Sequence, residues 1–100
     1  MPEVFWLGTA LEDLQEIKAF YEDREEGLCQ RLTRDILDVE QALRHHPQVG
    51  RVAKNVHPEH RQLVRGHHLI IYRIDPNAVK IVAIIDSRRD FLDAWQSKKR

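Results

Sequence analysis

Between Arg61 and Asp90 the chain reads RQLVRGHHLIIYRIDPNAVKIVAIIDSRRD, three β-rich runs in succession with only turn residues between them. The runs are Arg61–Arg65, Leu69–Ile74 and Val79–Ile85, and the separators are Gly66-His67 and Asp75-Pro76-Asn77, residue types that favour tight reversals. Turns this short leave no room for a crossover helix, so the runs are expected to pair as an antiparallel meander. The last two are apolar on both faces: Ile70, Tyr72 and Ile74 against Leu69 and Ile71, then Val79, Ile81, Ala83 and Ile85 against Val82 and Ile84. One helical hairpin covers only one face of a sheet. The second face is therefore turned toward a partner or covered by the C-terminal segment, and an apolar surface of this size favours the partner.

The first half of the chain supplies the hairpin. Val4-Phe5-Trp6-Leu7 is a short β-type run ended by Gly8; Thr9 then reads as an N-cap, with Glu12 three residues on completing a capping box. Ala10, Leu14, Ile17 and Tyr21 form one apolar helical stripe, and Cys29, Leu32, Ile36, Val39 and Leu43 form a second. Gly27 breaks the chain between them, and His46-Pro47 ends the second helix because a residue before proline is pushed from the α region. Pro47 to His60, with Gly50 and Pro58, reads as loop. The expected architecture is α+β in the order β-α-α-β-β-β, a helical hairpin packed on a small antiparallel sheet. No linker or repeat interrupts it, so residues 1–100 read as a single domain. Residues 91–100 form either a short helix, with Phe91 and Trp95 on one side, or a disordered basic tail ending Lys98-Lys99-Arg100.

Zero net charge hides a segregation. Residues 1–50 carry five Lys/Arg against eleven Asp/Glu, a balance of −6, and residues 51–100 carry the reverse, +6. Either the two halves attract each other within the monomer, or the basic half steers an anionic or acidic partner. The longest apolar run, Ile81 to Ile85, is far short of the ~20 residues of a membrane span. The N-terminus lacks a basic and apolar secretory signal, and a lone Cys29 at an apolar helix position cannot form an internal disulfide. A cytoplasmic location without membrane contact is expected.

Six histidines fall between positions 45 and 68: His45, His46, His57, His60, His67 and His68. His57-x-x-His60 has the spacing of metal ligands, but Pro58 lies inside it and no acid or thiolate clusters nearby, so neither metal nor cofactor is expected. Gly-rich phosphate loops, nucleophile elbows and paired carboxylates are absent from the sequence. The arginines carry more. Arg61, Arg65, Arg73, Arg88 and Arg89 alternate with apolar residues or sit just beyond strand ends, and their planar forks suit phosphates or carboxylates. They could stabilise charge in phosphodiester cleavage or anchor an acidic protein.

Several of these residues fall into a familiar order: A-x-x-D-L-x-x-I at Ala10–Ile17 followed by Tyr21, L-x-x-x-P-x-x-G at Leu43–Gly50 followed by Arg51, R-x-L at Arg61–Leu63, I-x-Y-R-I at Ile70–Ile74, and S-R-R-D at Ser87–Asp90. The set resembles the RelE/ParE superfamily of toxin–antitoxin toxins over nearly the whole of residues 4–90, and its spacing is most similar to the ParE branch. The resemblance implies a bacterial toxin neutralised by a cognate antitoxin, which alone would contact operator DNA. ParE-like members inhibit DNA gyrase without catalysis; RelE-like members cut mRNA on the ribosome with basic residues and a Tyr or His near the C-terminal end. Here Arg88 matches the arginine after the last strand and Arg61 a basic position on the second, but Leu69–Ile71 stand where cleaving relatives place an arginine. Asp86 ends the last strand, and no Tyr or His follows it. The non-nuclease branch is therefore expected, with Arg61, Arg65, Arg73, Arg88 and Arg89, beside Ile70, Val82 and Ile84, as the surface for antitoxin or target. An mRNA endonuclease using Arg61, Arg88 and Asp86, or an inactive relative that only binds its antitoxin, are the alternatives.

Overall fold

The computed structural model describes residues 2–54, 56–98 and 100. Along the chain run β1 (Glu3–Trp6), α1 (Gly8–Glu22), α2 (Leu28–His45), β2 (Arg51–Val52), β3 (His60–Arg65), β4 (His68–Asp75), β5 (Ala78–Asp86) and α3 (Phe91–Gln96). The strands form one sheet in the order β1-β5-β4-β3-β2. The α+β architecture and the hairpin-on-sheet arrangement are as expected. Two pairings extend it: β1 lies parallel to β5, and the loop after α2 contains the two-residue strand β2, antiparallel to β3. Two residues carry no readable alternation, which is why β2 has no signal in the sequence.

The hairpin buries the stripes that define it. Ala10, Ile17 and Tyr21 of α1 and Leu32, Val39 and Leu43 of α2 pack with Leu63, Ile70, Tyr72, Val79, Ile81 and Ile84 of the sheet. Each large apolar side chain buried in this way contributes about 1.5–3 kcal/mol. Gly27, at φ 92°, reverses the chain between the helices in the left-handed region that glycine enters without cost. The predicted capping box does not form. Helix α1 starts two residues earlier, at Gly8, with Leu7 in place of Thr9 at its N-cap and no side-chain cap. The Thr9 hydroxyl instead donates 3.0 Å to the carbonyl of Val82.

The second sheet face is covered from within the chain. Ile71, Val82, Ala83 and Ile85 form a separate cluster closed by Ala94 of α3, with Phe91 and Trp95 packed around it. This reverses the expectation of an open apolar face. Ile70, Val82 and Ile84, predicted to belong to a docking surface, are 1%, 3% and 1% exposed. The tail is likewise ordered at Lys98 and Arg100, whose side chains reach Asp13 of α1; Lys99 lies outside the described residues.

The Pro47 to Gly50 segment has a structural reason for its spacing. The Tyr72 hydroxyl donates to the Pro47 carbonyl at 2.7 Å and accepts from the Gly50 amide at 2.8 Å, pinning the end of α2 to β4. A Cβ on Gly50 would lie 2.6 Å from the Gln62 carbonyl oxygen and 2.7 Å from the Tyr72 hydroxyl. Gly50→Ala is therefore expected to destabilise the fold by about 1–3 kcal/mol, as overpacking does, read as a lower midpoint in urea denaturation.

Candidate functional site

Tyr21 closes the apolar stripe of α1, so its ring lies in the core while its hydroxyl reaches the ends of the two longest strands. There it meets His68, first residue of β4, and Asp86, last residue of β5, which the ladder places opposite each other. The hydroxyl donates to Asp86 Oδ2 at 2.6 Å and lies 3.0 Å from His68 Nε2. Arg88, two residues beyond the strand, folds back: Nε and Nη2 donate to the two Asp86 oxygens at 3.0 and 2.7 Å, its backbone amide to Oδ1 at 2.9 Å, and Nη2 to the Tyr21 hydroxyl at 3.1 Å. Asp35 of α2 approaches His68 Nδ1 at 2.8 Å. Tyr21, His68 and Asp86 are all buried, so each of these contacts offsets a desolvation cost.

The electrostatics follow from the geometry. The Arg88 guanidinium holds the Asp86 carboxyl well below the usual carboxylate range, against the opposing effect of burial and with help from Tyr21. Asp86 in turn raises Arg88. Burial, then the hydrogen bond to Asp86, pushes the Tyr21 hydroxyl up to about 12. General acid–base catalysis works best with groups poised near the working pH, and here tyrosine and aspartate are driven away from it in opposite directions.

Above this network a cleft of about 760 Å³ opens between α1, the start of α2 and the end of β5. Ile17, Phe20, Tyr21 and Leu28 form its apolar floor; Arg24, Arg88 and Arg89 stand at the rim with Glu16 and Glu25. Phe20 is 51% exposed, with the Arg24 guanidinium 3.9 Å above its ring. The Arg88 side chain is 50% exposed despite its contacts. Next to the cleft lie Arg31 and Arg34 of α2 with His67 of the β3–β4 turn. Among the ion pairs of the described residues, Arg24, Arg31, Arg34 and Arg89 take no part.

The five arginines picked out in the sequence do not form one surface. Arg65, Arg88 and Arg89 sit at the cleft end of the sheet, while Arg61 and Arg73 lie toward its other end, beside His60 and Asp75. Arg65 is paired with Asp38 and Arg73 with Asp75. The Arg61 fork is turned onto the carbonyls of Gly50 and Gln48, at 2.8 and 3.4 Å. The cleft residues that sequence reasoning overlooked are Tyr21, read only as a core position, and Arg24, Asp35 and His68. A polar-tipped aromatic ending an apolar stripe was the one signal available. His57 and His60 meet edge to face at 5.4 Å between ring centroids, with Trp95 beside His60, and among the described residues no three potential metal ligands come together.

This combination, a helical hairpin on a mostly antiparallel sheet with an arginine-rimmed cleft at one end, defines a small α+β domain of a single sheet covered on both faces. The family model for the ParE toxin of the type II toxin–antitoxin system parDE matches residues 4–91, and the chain belongs to that family. Among solved structures it is similar to a chain of the chromosomal ParDE system of P. aeruginosa, at 20% identity and a TM-score of 0.68, covering 86% of this chain and 96% of that one. It is also similar to the YoeB dimer of Staphylococcus aureus, at 14% identity and a TM-score of 0.59, covering 82% and 92%. Both likenesses are of fold. No curated protein matches the chain. No helix among the described residues is long and apolar enough to cross a membrane.

The shifted groups define a pH window. Asp86, lowered from its ordinary 3.8, contributes stability that is present above that value and lost as pH falls below it. Tyr21, raised from 10.0 to about 12, contributes stability below pH 10 that is lost as pH rises through 12. Tyr21→Phe should cost about 1.5–3 kcal/mol at neutral pH, a difference that shrinks above pH ~10. Urea denaturation of both proteins from pH 3 to 11 checks it, and Asp86→Asn should remove the acid limb instead.

Proposed function

We propose that this protein is the toxin of a ParDE-type module, acting in the cytoplasm by inhibiting DNA gyrase and silenced by a cognate antitoxin through which alone it reaches operator DNA. The observation that carries the non-catalytic reading is the Tyr21–Asp86–Arg88 network. Its tyrosine and carboxylate are tuned away from neutral pH, and its arginine already spends Nε and Nη2 on a carboxylate of its own chain, which leaves only the Nη1 side of the fork facing outward. The partner surface is the cleft end of the molecule: an apolar floor with an exposed phenylalanine, ringed by Arg24, Arg88 and Arg89 and flanked by Arg31 and Arg34. Arg61, Arg65 and Arg73 act in holding the fold together. Rim charges of this kind steer an acidic partner and set its salt dependence.

The purified protein is expected to block supercoiling by gyrase at concentrations that leave ribosome-bound mRNA intact. Transcript cleavage at codon positions with supercoiling unaffected would replace this reading with that of an mRNA endonuclease. Activity in neither assay, with the antitoxin still bound, would leave an inactive binding relative. Reversing Arg24 and Arg89 to glutamate should weaken antitoxin binding about tenfold, chiefly through slower association, with the thermal midpoint held because neither residue is ion-paired. Calorimetric titration against the antitoxin encoded with it, at two salt concentrations, reads this out.

A further inference from the structure

One side chain at the end of the chain is saturated. All five N–H groups of the Arg100 guanidinium are used: Nε donates to the Trp95 carbonyl at 3.0 Å, Nη1 to Asp13 Oδ2 at 2.7 Å and the Val82 carbonyl at 3.0 Å, and Nη2 to Asp13 Oδ1 at 3.0 Å and the Ala94 carbonyl at 3.2 Å. The side chain is 2% exposed and lies 4.9 Å from the Trp95 ring centroid. It thus ties α1, β5 and α3 together at one point.

The reason β5 has groups to offer there is a break in its ladder. Ile71 pairs with Ala83 but Tyr72 pairs with Ile81, so Val82 is an extra residue with no partner on β4. On the other edge β1 stops at Trp6, opposite Ile81. Past that point β5 has no strand beside it, and side chains stand in: Thr9 and Arg100 take the Val82 carbonyl, and Asp13 Oδ2 takes the Ile84 amide at 3.2 Å. Lys98 adds to the same acid, 2.8 Å from Asp13 and 3.0 Å from Glu16.

We propose that residues 91–98 with Arg100 are a clasp, locked by Arg100 at the Val82 bulge, that opens as a unit while the helical hairpin and its core stay folded. Open, it frees the Asp13 carboxylate that Arg100 and Lys98 hold against the Ile84 amide, and it uncovers the Val82–Ile84 edge of β5 and the apolar patch of Ile71, Val82, Ala83 and Ile85. The division of the core permits this, since no residue of α3 belongs to the cluster beneath the hairpin. The cover is weak in every other respect. Helix α3 has six residues, too few to hold helical form alone, and buries fully only Ala94. Low local stability of that kind is what sub-global opening draws on. The clasp is independent of the gyrase and antitoxin readings, and its test uses neither.

Native-state hydrogen exchange on the full chain reads it directly. In Arg100→Ala, the amides of Ile84, Ala94 and Ser97 should exchange at least about tenfold faster, with the β3–β4 ladder amides unchanged. Arg100→Lys, which keeps the charge but loses the fork, should fall between it and the wild type. Unchanged exchange in Arg100→Ala overturns the proposal, because the segment is then held elsewhere. Uniform acceleration of every amide also overturns it, because the cover then opens only with global unfolding. Should Arg100→Ala fail to fold, the wild type in low denaturant decides: a shared opening free energy for Ile84, Ala94 and Ser97, below that of the β3–β4 ladder, supports the clasp, and a single global value for all of them refutes it.

Discussion

Strand β5 is the member of this fold that everything else is arranged to satisfy. From Ile81 to Asp86 every residue is buried, so both faces must be covered and both edges must find hydrogen-bond partners. Strand β4 takes one edge, skipping only the bulged Val82. On the other, β1 covers only Ala78 to Ile81, and α1 supplies side chains beyond it. The hairpin covers one face and α3 the other. Removing any of these would leave apolar surface or unpaired backbone on the central strand, which is why a chain of 100 residues spends its terminal segments on it.

The same need explains why the polar network sits where it does. A strand must end, and β5 ends while still inside the protein. Its last residue is an aspartate, a charge that burial alone would not tolerate. Arg88 returns from the following turn to neutralise it, and the Tyr21 hydroxyl donates to its Oδ2. Stabilising the strand end thereby organises the cleft: Arg88 is fixed at the rim, half in solvent, by the contact that makes Asp86 tolerable. Site and fold are here one set of interactions.

Much of this was legible in the residues. The meander, the two helical stripes, the break at Gly27 and the α+β class follow from spacing, because periodicity reports local geometry directly. The inability of a hairpin to cover two faces was also visible, but its resolution was not. Whether Ile71, Val82 and Ile85 face a partner or α3 depends on Arg100 meeting Asp13, residues 87 apart that carry no local signal of the contact. Thr9 shows the same limit. Its neighbours make an acceptable capping box, yet a bulged carbonyl at Val82, created by the β4–β5 register, takes its hydroxyl. Long-range hydrogen bonds override local preference, and sequence spacing is silent about them.

The charge segregation changes meaning for the same reason. Counted along the chain, the second half is basic and its arginines suggest one cationic surface. In the fold, Arg65, Lys98 and Arg100 meet Asp38, Asp13 and Glu16, so about half of the excess in one half is spent on the other. What is left unspent includes Arg24, Arg31 and Arg34, which belong to the half that counts as acidic. Availability for a partner is decided by which arginines the fold leaves without a carboxylate, and a charge count along the sequence cannot make that distinction. The cleft, with Arg24 and Arg89 outside the ion pairs of the described residues and Arg31 and Arg34 beside it, is where unspent positive charge gathers, and the basic half as counted along the chain is not.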